Sequence, residues 1–418
     1  MFKLVKILRY GAVLGALPLL SSCGGDDYYY PGCNGSGCQP SPPTYPSEVS
    51  LGLVAGNFNH NGHTSIIGTS TVENYASGNP GYLKSYLSSG VGTFAAPVLT
   101  ADGNDPLYLA SADLNGDGLP DVVSASYYDG DLEVFLNSAG SPGSFQVPLV
   151  LASPGASQLA IGDMNNDGLP DLVSADFNVS LFLQTAPGVF AAPISLYSGG
   201  ANWVAVGDLN HDGIPDVALT DATGVKVLLH TGAASASTYA TPLPVFTQTA
   251  NADLSGANLI AIADVNGDGY DDLVITDPGP TGGASPTVSV LLQNPASPGT
   301  FLAAASYAIA PQSLAQSIVV TDVNGDGRPD IVIGGSNAVS VLLQSATTPG
   351  TFLAASNYVV SNANQLAIAD VNGDGLLDII IATGATQPLV NGVYTNTPGV
   401  LLQNATTPGT FGALQNLP

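Results

Sequence analysis

Carboxylates recur in this chain at fixed offsets. Asp113, Asn115, Asp117 and Asp121 occupy positions 1, 3, 5 and 9 of the segment DLNGDGLPD. The same offsets return as Asp163, Asn165, Asp167 and Asp171, as Asp208, Asn210, Asp212 and Asp216, and as Asp264, Asn266, Asp268 and Asp272. Two more copies hold Asp322, Asn324, Asp326 and Asp330, then Asp370, Asn372, Asp374 and Asp378. Eighteen of the 29 Asp residues lie in these segments. Alternate side chains of a short loop can face one centre, and every donor here is a hard oxygen. Calcium takes roughly six to eight such oxygens. The main-chain carbonyl at position 7 (Leu119, Leu169, Ile214, Tyr270, Arg328 and Leu376) would add one more. The Asp at position 9 would close the site with both oxygens. Gly at position 6, as in Gly118 and Gly168, allows the left-handed turn that wraps the loop. About six calcium sites are therefore expected. Without an ion, three carboxylates per loop would repel one another.

Asp, Asn and Gly also favour ordinary turns, but six recurrences in one register favour a metal. An EF-hand is excluded, because it needs Glu at position 12 and flanking helices. Position 12 here is Ser124, Ser174, Leu219, Ile275, Ile333 or Ile381, inside the next apolar run. Repetition also argues that the ion is structural, since chemistry needs only one centre. An eroded seventh copy comes first, with Asn57, Asn61 and Ser65 where carboxylates would stand, and should hold no calcium. Its His60 and His63 read as exposed loop residues. The four histidines lie beside no plausible nucleophile, so no Ser-His-Asp or Cys-His set can be assembled.

The motif starts are 56, 50, 45, 56, 58 and 48 residues apart. Around each lie an apolar run before the first Asp, a second after the last, and a third such as Val288–Leu292. A Pro-Gly pair then leads into an aromatic, as in Pro298-Gly-Thr-Phe301. Pro-Gly suits a type II turn, so the third and fourth strands should form a hairpin. Four short antiparallel strands repeated seven times predict an all-β protein, a seven-bladed β-propeller of four-stranded blades. Small residues three places before each motif (Ala110, Ala160, Ala205, Ala261, Val319 and Ala367) suit innermost strands crowding an axis. A linear β-solenoid is the competing arrangement.

The unit resembles the FG-GAP/VCBS repeat, the blade also found in the propeller of integrin α-subunits. The resemblance spans residues 48–418 and implies a calcium-binding propeller, with little said about activity. Each repeat begins with its inner strand, so the ring is expected to close without an exchanged strand.

Residues 1–22 combine a basic start (Lys3, Lys6, Arg9), an apolar stretch and small residues, the pattern of a signal peptide. Leu20-Ser-Ser-Cys23 resembles the bacterial lipoprotein lipobox, which implies lipidation of Cys23 and a membrane anchor. An ordinary signal peptide with an incidental Cys is the alternative. Gly24, in place of an Asp, favours the outer membrane or cell surface of a bacterial envelope. Residues 23–47 are Gly, Pro, Ser and Tyr, a tether with almost no aliphatic side chain. Within it Cys33 and Cys38 are either a small disulfide loop or two free thiols. Of the six basic residues three precede the first carboxylate, and the formal charge is −26, which excludes nucleic acid as a partner.

On the face opposite the motifs the connections vary most, and variable loops on a rigid scaffold commonly carry recognition. Candidate contacts are Tyr127, Tyr128 and Asp129, then Asp176 and Phe177, the loop from Asp277 to Pro286 and the one from Thr383 to Tyr394, with Trp203 either at the rim or packed between blades. The favoured function is a non-catalytic module that binds an extracellular protein or glycan. The rival is an extracellular enzyme, such as a polysaccharide lyase or a phosphate-ester or lipid hydrolase.

Overall fold

The computed structural model describes residues 48–49, 52–72, 80–104, 106–127, 129–153, 156–175, 177–232, 238–247, 259–278, 286–311, 314–383 and 398–417. The expected signal peptide, the tether with Cys23, Cys33 and Cys38, Tyr128 and Asp176 lie outside these residues. The second strand of each repeat is buried from end to end or nearly so: Asp121–Ser126, Asp216–Asp221, Asp330–Gly335 and Asp378–Thr383 have no exposed position. Such strands pack on both faces, which is why runs like Asp330-Ile-Val-Ile read as continuously apolar. Outer strands such as Ser356–Val359 are mostly exposed.

The sixth blade shows the common order: Ala315–Thr321, Asp330–Gly335, Ala338–Leu342 and Ser356–Val359 pair antiparallel in that sequence. Seven such sheets follow one another. In the first, the inner strand is split into Glu48–Val49 and Leu53–Gly56, both paired with Ser65–Val72. No helix occurs among the described residues. The Pro-Gly hairpins are present, with Gly299, Gly350 and Gly409 at φ of 84°, 72° and 79° and the bridges Gln293–Phe301, Gln344–Phe352 and Gln403–Phe411 beneath them.

Each of seven apolar clusters straddles two successive blades. One joins Val274 and Val288 of the fifth blade to Ile331 and Ile333 of the sixth. Another joins Leu53, Ile66 and Tyr86 of the first to Val371, Ile380 and Val400 of the seventh. The ring therefore closes by packing alone, with all four strands of every blade contiguous in sequence. A solenoid, which has no contact between first and last repeats, is excluded.

Side-chain bonds between inner strands reinforce the axis. Gln158 accepts from the backbone of Val204 (2.9 Å), Trp203 donates its indole N–H to Ile260 O (3.0 Å), and Ser317 accepts from Leu366 N (3.1 Å). Gln365 spans three blades. Its Oε1 accepts from Leu53 N at 3.0 Å and Leu109 N at 3.2 Å, and its Nε2 donates to Leu109 O at 2.7 Å.

Ile380 is fully buried in the closing cluster. Ile380→Ala should lower stability by about 2–5 kcal/mol, read as a lower urea midpoint. A loss under about 0.5 kcal/mol, the scale of a surface change, would show that this seam does not hold the ring.

Candidate functional site

The six motif loops share one geometry. Asp113 Oδ1 accepts from the N–H of Gly116 at 2.7 Å and of Asp117 at 3.1 Å, and its Oδ2 from Gly118 at 2.8 Å. Asn115 Oδ1 accepts from Asp117 N, and Asp117 Oδ1 from Leu119 N, both at 2.9 Å. The bond from position 6 N–H to the position 1 carboxylate recurs in every one of the six. Position 6 glycines sit at φ between 82° and 87°. Position 4 is left-handed as well: Gly116 at 73°, Asn166 at 55° and His211 at 59°. The sequence signal for that second turn was the restriction of position 4 to Gly, Asn and His.

Position 9 differs from the rest. Asp121, Asp171, Asp216, Asp272, Asp330 and Asp378 are wholly buried. Each carboxylate accepts two backbone N–H groups, one from position 2 of its own loop and one from the second residue beyond the third strand. In the second blade these are Leu114 N at 2.9 Å and Asn137 N at 2.6 Å. The other five repeat the pattern. Burial, with added repulsion from the carboxylates at positions 5 and 1, outweighs these bonds. It pushes Asp121, Asp171 and Asp330 up to about 6, Asp216 and Asp272 up to about 7, and raises Asp378.

The second residue beyond the third strand is a latch that the sequence reading overlooked. Gln344 Nε2 donates to Pro329 O of its own loop (2.8 Å) and to Val265 O of the preceding one (2.7 Å). Gln403 does the same to Leu377 O (2.7 Å) and Val323 O (2.9 Å), and Asn137 to Pro120 O and Phe58 O. The glycine turn of each such blade also leans on the loop before it: a Cβ at Gly350 would lie 3.0 Å from Asn266 Cβ, and one at Gly409 3.2 Å from Asn324 Cβ. Gln184 and His230 hold the equivalent places in the third and fourth blades, but their amide and ring atoms are buried without hydrogen-bond partners. A recurring Gln, Asn or His after the third apolar run was the visible sign of the latch.

These loops match calcium in donor type, order and turn geometry, although none brings its three carboxylates within 4.8 Å of one another. An oxygen that accepts one N–H keeps a second lone pair for an ion. Each position 9 oxygen likewise accepts one N–H, whereas Asp113 Oδ1 at position 1 accepts two and leaves only Oδ2 available to an ion. In the sixth blade Arg328 Nη2 also lies 2.7 Å from Asp326 Oδ2, lowering the charge available there. The first, eroded loop keeps the shape with neutral bonds: Asn57 Oδ1 accepts from Gly62 N at 3.2 Å, and Asn59 and Asn61 amides donate to Ser88 O.

On the opposite face the candidate residues do not assemble into one site. Trp203 is half-buried, packed against its neighbours at the seam and edge-on to Tyr108 at 5.5 Å. Both rings line an axial cavity of about 370 Å3 together with Gln158, Ala110, Ala160 and Ala205. Tyr127 follows the second strand of the second blade, and Asp277 ends that of the fifth. The loops 279–285 and 384–397 lie outside the described residues. Beside Tyr127, one group of three acids stands out: Asp129, Asp131 and Glu133 bring carboxylate oxygens within 4.8 Å of one another, the only such trio among the described residues. Burial, then the charges of Asp102 and Asp131, holds the Glu133 carboxyl well above the usual range.

The family of FG-GAP-like repeats matches residues 113–174, 163–219, 208–275, 264–333 and 322–381. No protein of curated function matches the sequence. The crystal structure of the V. cholerae biofilm matrix protein Bap1 superposes with a TM-score of 0.47 at 12% identity, covering 87% of this chain and 90% of that one. The crystal structure of BBS1N in complex with ARL6DN, soaked with lead, gives 0.50 at 12%, covering 81% and 91%. This second likeness bears on the fold alone.

A carboxyl raised in the folded state stabilises the fold most below its unfolded value of about 4, and that contribution is lost as pH rises through 6 to 7. The metal-free chain should therefore melt at a higher temperature at pH 5 than at pH 7.5. Saturating calcium, which displaces those protons, should narrow the gap. Equal midpoints in the metal-free chain would show that the position 9 groups are not raised.

Proposed function

Because the chain belongs to the FG-GAP-like repeat family, we propose that it is a calcium-stiffened propeller acting as a non-catalytic binding module for an extracellular protein or glycan. The observation that carries this reading is the division of the ring into two faces. One face holds six oxygen-lined loops of a single geometry, those of the fourth to seventh blades tied in series by the latches. The other holds connections that differ in length and content, among them an exposed Phe177, and so can be shaped to a ligand without disturbing the first. An acyl group on Cys23 and the tether would hold this module at the outside of a bacterial envelope.

Calcium would be held by positions 1, 3 and 5 and the position 7 carbonyl, with the position 9 carboxylate beneath. The ion would supply charge neutralisation for groups that otherwise repel. Trp203 serves the seam in this reading, since its N–H is spent on Ile260 O. The enzymatic alternative draws on the axial cavity, where Tyr108 and Gln158 stand beside Trp203. Turnover on polyuronate or phospholipid panels that is lost in Tyr108→Phe would favour it.

Ion binding to the folded state alone adds about 2.7 kcal/mol per site at a hundredfold excess over the dissociation constant. EDTA should therefore lower the melting temperature by well over 10 °C, and calcium should restore it. An unmoved midpoint would remove calcium from the proposal. For the binding face, glycan and protein arrays should show signals that fall at least fivefold in Phe177→Ala with the fold unchanged. Signals that persist there, and fall instead when the loop 279–285 is replaced by Gly-Ser, would move the contact to the fifth blade.

A further inference from the structure

We propose that Asp129, Asp131 and Glu133, with Asp102, form a further divalent-cation site, of calcium type, outside the nine-residue loops. It lies on the variable face where the outer strand of the first blade, Val98–Asn104, meets the second and third strands of the second blade. The three acids carry oxygens within 4.8 Å of one another, at exposed, half-buried and buried depths. Acidic crowding alone would not make a site. A second observation points to a ligand: Ser126 is wholly buried, and its Oγ has no hydrogen-bond partner.

That hydroxyl is aimed into the same space as the carboxylates. A Cβ built on Gly103 would lie 2.8 Å from Ser126 Oγ, 2.8 Å from Glu133 Oε1 and 2.9 Å from Asp129 Oδ2. Three oxygens, from the second strand, the third strand and the turn between them, thus converge beside Gly103, where any side chain would collide with them. Asp131 Oδ1 nearby is also buried without a partner, while the Asp102 carboxylate bonds to Glu133 and Ser124. The acids are held in place by other bonds. Asp129 accepts from Asn104 N and Asn104 Nδ2, each at 2.7 Å, and Asp102 Oδ1 from Gly103 N at 2.9 Å.

All donors are carboxylate or hydroxyl oxygen, with no nitrogen or sulfur, which selects a hard ion over zinc or copper. Their number and flexible spacing suit calcium better than magnesium, which demands a near-octahedral set. The site would pin the outer edge of the first blade to the second. That seam needs it most, because the first blade's own loop has lost its carboxylates.

The test is equilibrium dialysis of the full chain against radioactive calcium at pH 7.5, comparing wild type with Asp131→Asn/Glu133→Gln and with Gly103→Ala. Each variant should bind one equivalent fewer than wild type, whatever number the six loops take. In EDTA the charge-neutralised double variant should melt higher than wild type, because buried like charges have been removed. Its calcium-induced rise should be smaller. Gly103→Ala keeps every charge and only fills the space, so it should lose the equivalent without that gain. The same stoichiometry in wild type and both variants would overturn the site. One equivalent in wild type and none in the variants would support this site while the six loops failed. Six equivalents in all three would do the reverse.

Discussion

A carboxylate with no exposure to water governs this architecture. Each position 9 aspartate sits beneath its loop with two backbone N–H groups as its only bonds. Burying such a charge is unfavourable unless something positive stands close. The two N–H groups come from opposite ends of the blade's inner half, one from the loop and one from just beyond the third strand. The aspartate thereby fixes where three strands terminate relative to one another. Its raised carboxyl makes that hold depend on pH.

From that anchor order passes outward to the next blade. The residue whose N–H reaches the aspartate is the same one whose side-chain amide bridges its own loop to the preceding one. Main chain and side chain of a single Gln therefore join a buried charge to an interblade contact. The apolar seams supply the bulk of the packing, and these polar latches set the register at which neighbouring blades meet. In the third and fourth blades, where Gln184 and His230 leave their polar atoms unpaired, other bonds hold the register: Gly188 N donates to Leu114 O, Asn166 Nδ2 to Gly213 O and Val204 N to Gln158 Oε1.

The blade count, the four-strand order and the two faces were legible because they depend on period and on turn residues, which a sequence displays directly. Ring closure was not settled by the sequence, since the phase of a repeat does not by itself fix which strands share a sheet; the pairing settles it. The site was read in outline. Positions 1, 3, 5 and 6 behave as their types demand, whereas the burial of position 9 depends on neighbours distant in sequence. Trp203 could not be placed from its position alone, because rim and seam lie one strand turn apart. Of the group around Gly103 the sequence marked only Asp129, as a loop residue, and the rest of the group escaped notice for a different reason. Its members come from two blades and three strands, and nothing in their spacing sets them apart from ordinary surface acids.

The eroded first loop has a consequence for assembly. Every junction in the ring is covalent in part except the one between first and last blades, which must be found by diffusion of the two ends. There Thr64, in the uncharged loop, donates to Asp370 O, and Val91 and Gly92 rest against Gly373 and Asn372. One partner at that junction is preformed by amide bonds alone. The chain can thus dock its tail on its head with no carboxylate from the first loop at the junction.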